Sequence, residues 1–218
     1  DIAARGTPEA VDGRTWTVGA YVTQGFGPIY ANAKLAYGWT NYDATRTMGL
    51  LARTAEASIN AKQLDVSLEA GYDYRTGSVT ITPYGKLVLR RTSLEGFTET
   101  GAGAFSLDVE GRKKTVFSPV LGVKLGTETE LSDSVTLRPF ARASYTFQGN
   151  LPSDITARYV GGGDAFILKG AEPDSFGMIE AGFEAKVADR LNLFFTGSQT
   201  FGGDNKVTGL RGGVTFQF

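Results

Sequence analysis

Length, composition and charge exclude several classes of function. The 218 residues carry 22 basic and 23 acidic side chains, and this balance gives no strong positive field that would attract nucleic acid. Histidine and cysteine are both absent, which excludes Ser-His-Asp and Cys-His nucleophilic systems, thiolate metal sites and disulfides.

The amino-terminal segment is rich in turn-forming residues. Residues 1–13 include Pro8 and Gly13 and lack the basic and apolar regions of a signal peptide. We expect this segment to be the remnant of an extracellular loop, and we expect residues 14–218 to supply the strands of a single domain.

Regular alternation of apolar and polar residues predicts nine strands in the rest of the chain. In chain order they lie at residues 14–24, 29–39, 64–74, 79–90, 117–125, 134–147, 179–187, 191–195 and 210–218. The pattern is clearest at 134–147, where one face carries Val135, Leu137, Pro139, Ala141, Ala143, Tyr145 and Phe147. No apolar run reaches the roughly 18 residues of a membrane-spanning helix, so a helical membrane protein is excluded.

The connections between these strands alternate in length. Short turns are predicted at residues 25–28, 76–77, 132–134 and 189–190, and long loops at 41–53, 93–107 and 148–175. The last connection, 202–205, falls on the long-loop side but is itself short. Short turns at one end and long loops at the other are typical of an outer-membrane barrel.

The polar strand face predicts a hydrated interior. Such barrels are apolar on the outside and polar in the lumen, so we expect a lumen lined by charges of both signs. The lumen-facing set is Asn32, Lys34, Glu69, Lys86, Arg138, Arg142, Glu180, Glu184 and Lys186. The alternative is a water-soluble β-sandwich in which these charges form the solvated surface. Aromatic pairs near strand ends, such as Tyr37 with Trp39, favour the membrane interpretation.

The number of strands predicts that this chain holds only part of a barrel. A single-chain bacterial barrel has an even number of antiparallel strands and closes its edges. Nine strands that end on the short-turn side therefore lead us to expect further strands before Asp1. Two alternatives stay open: residues 1–13 form an unusual edge, or another chain completes the barrel.

Several short motifs carry a resemblance to a known family. They are YANA at 30–33, EAGY at 69–72, TPYG at 82–85, LEGFTETG at 94–101, LRPFAR at 137–142 and GLRGGVTFQF at 209–218. Each motif alone is weak, but in this order and spacing the chain resembles the carboxy-terminal translocator domain of monomeric autotransporters. The resemblance covers residues from about Trp16 to Phe218.

This resemblance implies a fold, a location and partners. It implies a twelve-stranded antiparallel barrel in the bacterial outer membrane, of which this chain holds the last nine strands, with a helix in the pore. Its function is to anchor and export an amino-terminal passenger to the cell surface. The implied partners are outer-membrane lipid, the barrel assembly machinery and the passenger. The final strand would be read by that machinery through Leu210, Val214, Phe216 and Phe218.

No group of residues indicates catalysis, a cofactor or a metal. Glu180 and Glu184 share one strand face two pleats apart, but lumenal charge is the simpler interpretation of the pair. Asp43, Asp108 and Glu110 lack the spacing of metal ligands. We therefore expect a protein that is not an enzyme. The main functional alternative is a free-standing porin-like or adhesin-like barrel, and a third is a soluble carbohydrate-binding sandwich.

Overall fold

The computed structural model of the protein is all-β and describes residues 2–3, 9–149, 154–170, 174–202 and 206–216. Within these residues, three short 3-10 helices (Gly49–Leu51, Gly103–Phe105 and Ala188–Arg190) interrupt the strands. In this part of the chain no helix is both long and apolar enough to span a membrane. The strands are β1 (Ile2–Ala3), β2 (Glu9–Phe26), β3 (Ile29–Met48), β4 (Arg53–Tyr72), β5 (Tyr74–Thr76), β6 (Val79–Leu94), β7 (Phe97–Thr98), β8 (Leu107–Val109), β9 (Arg112–Thr127), β10 (Thr129–Ser132), β11 (Val135–Thr146), β12 (Ile155–Tyr159), β13 (Phe166–Leu168), β14 (Phe176–Val187), β15 (Leu191–Phe201) and β16 (Thr208–Phe216).

The long strands form one curled antiparallel sheet. Neighbours pair in the order β1-β2-β3-β4-β6-β9-β11-β14-β15-β16, with β5 beside β6 and β10 beside β11. Arg142 on β11 bonds to Glu69 on β4 although β6 and β9 lie between them. Because neighbouring strands are about 4.8 Å apart, this contact requires strong curvature, and it identifies the concave face. Among the described residues no pairing joins β16 to β1 or β2, so the sheet is an open half-barrel.

The predicted strands and short turns are confirmed. In the part of the chain that the structure describes, nine strands contain nine or more residues each. Tight turns occupy residues 27–28, 77–78 and 133–134, as the sequence predicts. Gly27 and Gly77 have φ values of 64° and 58°, a left-handed conformation that glycine adopts without steric cost.

Two predicted loops at the long-loop end are wrong in part. Residues 9–13 belong to β2 and pair with β3, whereas the sequence predicted a loop over 1–13; residues 1 and 4–8 lie outside the described residues. The predicted loop at 41–53 is the end of a long β3–β4 hairpin. Beyond Trp39 the convex face of the hairpin becomes polar, with Asn41, Asp43 and Ser58, so an apolar convex face no longer marks the strands while backbone pairing continues. Strands of 20 residues exceed the roughly 10 needed to cross a bilayer, so this hairpin projects beyond the apolar band.

The other two long connections contain short strands that pair with one another. In the described residues, β7 and β8 lie in the β6–β9 connection, while β12 and β13 lie in the β11–β14 connection. They form a second sheet in the order β13-β12-β8-β7. A bridge between Glu56 and Thr100 attaches this surface sheet to β4. The two connections therefore form one ordered unit at the long-loop end.

Burial is inverted relative to a water-soluble protein. On the concave face Thr82, Ser118 and Ser144 are buried. On the convex face large apolar side chains are exposed, with Trp16 69% and Leu210 76% exposed. A soluble sandwich buries its apolar face between two sheets, whereas a membrane barrel turns that face to lipid. The structure therefore has the polarity of a membrane barrel.

A charge placed in the middle of the convex face is expected to be costly. Leu121 lies at the centre of β9 and is 61% exposed. Leu121→Arg should lower the free energy of unfolding in lipid vesicles by about 2–4 kcal/mol, the cost of an arginine at the bilayer midplane. Asn41→Arg, on the same face but beyond Trp39, should cost only about 0–1 kcal/mol. Equal costs in urea titrations of the two variants would contradict a lipid-facing convex surface.

Candidate functional site

All nine predicted lumen-facing residues lie on one face of the sheet. Cross-strand register aligns Asn32 with Glu69, and Glu69 with Lys86. Further along the sheet, between β11 and β14, the register aligns Arg142 with Glu180, Arg138 with Glu184, and Thr136 with Lys186. Because paired residues share a face, and Arg142 contacts Glu69 across the curve, these side chains belong to the concave wall. Lys34, two residues from Asn32 on β3, shares this face.

Glu69 is the centre of a polar cluster on this wall. Its Oε1 accepts hydrogen bonds from the Tyr30 hydroxyl at 3.0 Å and, at 3.5 Å, from Asn32 Nδ2. Its Oε2 accepts from Arg142 Nη2 at 3.0 Å, and Lys86 Nζ lies 3.9 Å away. The Glu69 side chain is only 12% exposed. A partly buried carboxylate of this kind is stabilised because both oxygens have charged or polar donors.

Tyr84 connects this cluster to β6 and β9. Arg142 Nε donates a hydrogen bond to the Tyr84 hydroxyl, and the guanidinium lies 4.1 Å from the centre of that ring. The ring covers Gly122 on β9, where a Cβ would come within 2.6 Å of Cε1. Tyr30 covers Gly71 on β4 in the same way, and its Cζ lies 2.7 Å from the position that a Cβ would take there. Glycine is required at both positions because the rings lie flat against the wall.

The remaining predicted residues lie outside this cluster. Arg138 forms an ion pair with Glu128 at 2.7 Å rather than with Glu184, its cross-strand neighbour. Arg142 turns away from Glu180 toward Glu69 and Tyr84. Lys34 and Glu184 are exposed on the wall. A groove of about 940 Å³ runs along this face, and its lining includes Tyr30, Glu69, Lys124, Arg138, Arg142 and Glu184.

Sequence reasoning missed the two tyrosines as members of the site. Tyr30 and Tyr84 appear in the motifs at 30–33 and 82–85 but were not among the predicted lumen-facing residues. The signal that could have found them is an aromatic residue on the polar face with a glycine one strand away. That pairing depends on register, which the alternation of residue types does not specify by itself.

A second set of contacts holds the β6–β9 connection over the concave face at the long-loop end. Arg46 on β3 forms an ion pair with Glu99, and also donates to the Phe105 carbonyl at 3.2 Å. Arg53 on β4 donates to the Ala102 carbonyl at 2.8 Å. Glu99 is 10% exposed and accepts a further bond from the Leu107 amide. The connection is therefore fixed rather than free at this end of the groove.

The surface sheet is joined by a charged pair between its two connections. Asp108 on β8 accepts hydrogen bonds from Arg158 on β12 and from Thr98 on β7. These donors, Arg158 first, hold the pKa of the Asp108 carboxyl below its ordinary value of 3.8. The pair links the β6–β9 connection to the β11–β14 connection.

The Asp108 pair is expected to make the surface sheet sensitive to acid. A carboxyl whose pKa is lowered in the folded state stabilises that state above its ordinary pKa, and this contribution is lost as pH falls through the lowered value. When the pH falls below the lowered pKa of Asp108, amide hydrogen exchange at Leu107 and Val109 should therefore become faster than the intrinsic pH dependence of exchange predicts. Arg158→Gln should remove the extra acceleration and bring the Asp108 pKa, measured by NMR, back toward 3.8. An unchanged Asp108 pKa in that variant would contradict the assignment.

The predicted carboxy-terminal signal lies on the edge strand β16. Leu210, Val214 and Phe216 are exposed on its convex side, and Phe218 lies outside the described residues. Their backbone edge away from β15 forms no strand pairing among the described residues. As for metals, no cluster of three or more His, Cys, Asp or Glu side chains suited to an ion occurs in the described ranges.

Comparison with known proteins agrees with this architecture. An extracellular serine protease of Serratia marcescens is 28% identical over 134 residues, which make up 61% of this chain and 13% of that protein. The translocator domain of autotransporter NalP from Neisseria meningitidis superposes with a TM-score of 0.75 at 17% identity, covering 99% of this chain and 70% of that one. The β-domain of the Bordetella autotransporter BrkA gives 0.67 at 18% identity, covering 95% and 75%.

The two structural likenesses establish the fold, because identities this low show no more. The curated relative adds a sequence match, although this chain spans only about an eighth of its length. A family model described as the autotransporter beta-domain matches residues 2–198. This chain therefore belongs to the autotransporter β-domain family and is a β-barrel domain of the bacterial outer membrane.

Proposed function

We propose that this domain anchors an amino-terminal passenger in the outer membrane and exports it to the cell surface. The observation that carries the proposal is the opposite character of the two sheet faces. The convex face exposes large apolar side chains, while the concave face carries the groove lined by Glu69, Arg142 and Lys124. A polar wall inside an apolar shell suits a hydrated passage for polypeptide. Family membership favours export over a free-standing porin-like barrel.

The wall residues suit a passage that does not retain its cargo. The exposed charges of the wall, such as Lys34 and Glu184, are of both signs. Glu69, Arg142, Tyr30 and Tyr84 satisfy one another's hydrogen bonds, so this cluster presents few unpaired charges to a passing chain. Ion pairs of this kind leave a weak net field, and a passing segment of either charge is neither trapped nor repelled. We infer that the wall accepts many passenger sequences.

The contacts of the β6–β9 connection support a defined exit from the passage. Arg46 and Arg53 hold this connection over the concave face through Glu99 and the Ala102 carbonyl. A fixed connection narrows the opening without a large conformational change. Loops fixed by several partly buried bonds open less readily than loops without them.

We further propose partners and the absence of chemistry for this domain. The convex face contacts outer-membrane lipid, and the open edge of β16, with Leu210, Val214, Phe216 and Phe218, is read by the barrel assembly machinery through strand addition. The domain itself is not an enzyme and needs no cofactor, since the partly buried carboxylates of Glu69 and Glu99 are engaged in structural ion pairs. The extracellular location in the name of the Serratia relative supports export of a passenger.

Site-specific crosslinking during export tests the proposal. A photo-crosslinking amino acid at Lys34, on the concave face, should capture the passenger segment of the full-length protein in living cells. The same amino acid at Leu35, the next residue and on the convex face, should capture lipid and no passenger. Capture of passenger at Leu35 but not at Lys34, or a passenger that stays in the periplasm, would contradict it.

A further inference from the structure

Aromatic residues mark the outer boundary of the apolar band on the convex face. Trp16 and Trp39 lie opposite each other on β2 and β3, and Tyr37 lies two residues nearer the centre of the band. On β9 the ring of Phe117, which lies opposite Leu89, is also exposed on the convex face. Such rings concentrate where the hydrocarbon meets the headgroups. Ile29 to Trp39 spans about 33 Å of strand, which at a tilt near 45° matches a band about 25 Å tall.

Three adjacent strands carry cations near this boundary, on the same face as the rings. Lys62 on β4 lies directly opposite Trp39. Arg91 on β6 lies opposite Leu64 and one step beyond Leu89, which faces Phe117. Lys113 on β9 pairs with Ser93, further out on the same face. These three residues, Lys62, Arg91 and Lys113, form the basic patch, and three adjacent strands place them within about 10 Å of one another laterally.

The charge of the basic patch is only partly balanced within the protein. Lys62 forms an ion pair with Glu95 at 2.9 Å. In the part of the chain that the structure describes, the side chains of Arg91 and Lys113 form no ion pair or hydrogen bond and are exposed. Three cations and one carboxylate leave an excess of two positive charges beside the headgroup layer. Arginine and lysine in this position attract anionic lipid headgroups.

We propose that the basic patch binds a phosphate-bearing headgroup of the outer leaflet. The apolar side chains below it, Leu64, Leu89 and Phe117, would contact the acyl chains of the same lipid. Charge complementarity and the continuous apolar surface beneath favour a lipid over a soluble anion. This inference rests on the proposed placement of the convex face in lipid and adds a specific headgroup chemistry to it.

The test measures binding of lipid A with both phosphates present to the full-length protein in detergent, by native mass spectrometry. The Arg91→Gln/Lys113→Gln variant should lose about 25-fold in affinity, because each basic side chain near an anionic leaflet contributes about fivefold. Removing the phosphates from the lipid should lower binding to the parent protein similarly. Lys34→Gln, on the concave face, should leave binding unchanged, and Arg91→Lys/Lys113→Arg should retain most of it.

Separate measurements of folding and of export distinguish the possible results. Heat-modifiable migration on a mild detergent gel shows that each variant is folded. Equal binding by parent and Gln variant, equal binding of phosphorylated and dephosphorylated lipid, or an equal loss in Lys34→Gln would overturn the headgroup site. Passenger exposure on cells is scored separately: if export persists while the lipid result is negative, only the headgroup site is lost, whereas failed crosslinking at Lys34 concerns the proposed function.

Discussion

Replacing Glu69 by leucine is expected to lower the free energy of unfolding by about 3 kcal/mol, the largest effect that we expect on the concave wall. The carboxylate is the common acceptor for Tyr30, Asn32 and Arg142. Its removal leaves the guanidinium of Arg142, 24% exposed, without its carboxylate. Removing one partner of a buried pair is costly because the other charge stays desolvated.

The Glu69 variant is best measured by urea unfolding of the protein in lipid vesicles, followed by tryptophan fluorescence and gel migration. Glu184→Gln is the matched control, since Glu184 is an exposed carboxylate on the same face. It should change stability by less than about 0.5 kcal/mol. If the Glu69 and Glu184 variants were equally stable, the cluster would have no structural role. The free energy of unfolding of Glu69→Gln should lie between those of Glu69→Leu and Glu184→Gln, since an amide keeps one acceptor oxygen but loses the charge.

Gly122→Ala is expected to destabilise the protein by about 1–3 kcal/mol, the usual cost of overpacking. A Cβ on Gly122 would lie 2.6 Å from Cε1 of Tyr84. The ring cannot move aside cheaply, because Tyr84 is buried and its hydroxyl accepts a bond from Arg142. The same urea titration measures the loss.

Gly126→Ala is the control for steric conflict at Gly122. Gly126 lies on the same strand and the same face, and its Cβ would come no closer than 3.8 Å to the Pro139 carbonyl oxygen. This substitution should be neutral or slightly stabilising, since glycine weakens strand interiors. Combining Gly122→Ala with Tyr84→Ser should cost less than the sum of the two single changes, with a coupling of about 1 kcal/mol. Additive costs would mean that the ring does not press on Gly122.

These two experiments bear on export as well as stability. Glu69 and Tyr84 bridge β3, β4, β6 and β11 from the inside, so they hold the curvature of the wall. A passage for polypeptide requires a wall that keeps its shape without support from a filled core. The polar cluster meets that requirement, because it rigidifies the concave face while leaving a groove of about 940 Å³.

Alternation in the sequence predicted much of this architecture correctly. The side-chain period of a strand is two, so Val135 to Phe147 could be divided into an apolar and a polar face without any tertiary information. The same reasoning placed Glu69 and Arg142 on the polar face, and the turns at Gly27 and Gly77 followed from turn chemistry. The motif order predicted the family, which the family match confirms.

Other features depended on residues far apart in the chain. The convex face becomes polar beyond Trp16 and Trp39, so an apolar convex face could not reveal the extension of β3 to Met48 or the start of β2 at Glu9. The pairing of β8 with β12 joins two connections separated by several strands. Composition does not encode such a contact, because it arises only when the wall brings both connections to the same end.

The sequence by itself determined the faces, most strands and the family of this domain, because these depend on local periodicity and short motifs. Only the tertiary structure decided which polar residues meet. The Arg142 side chain donates a hydrogen bond to Glu69, three strands away in the sheet, and not to Glu180, its direct cross-strand neighbour. That contact follows from the curvature of the sheet, which turns distant side chains of one face toward each other and shields their charges from water.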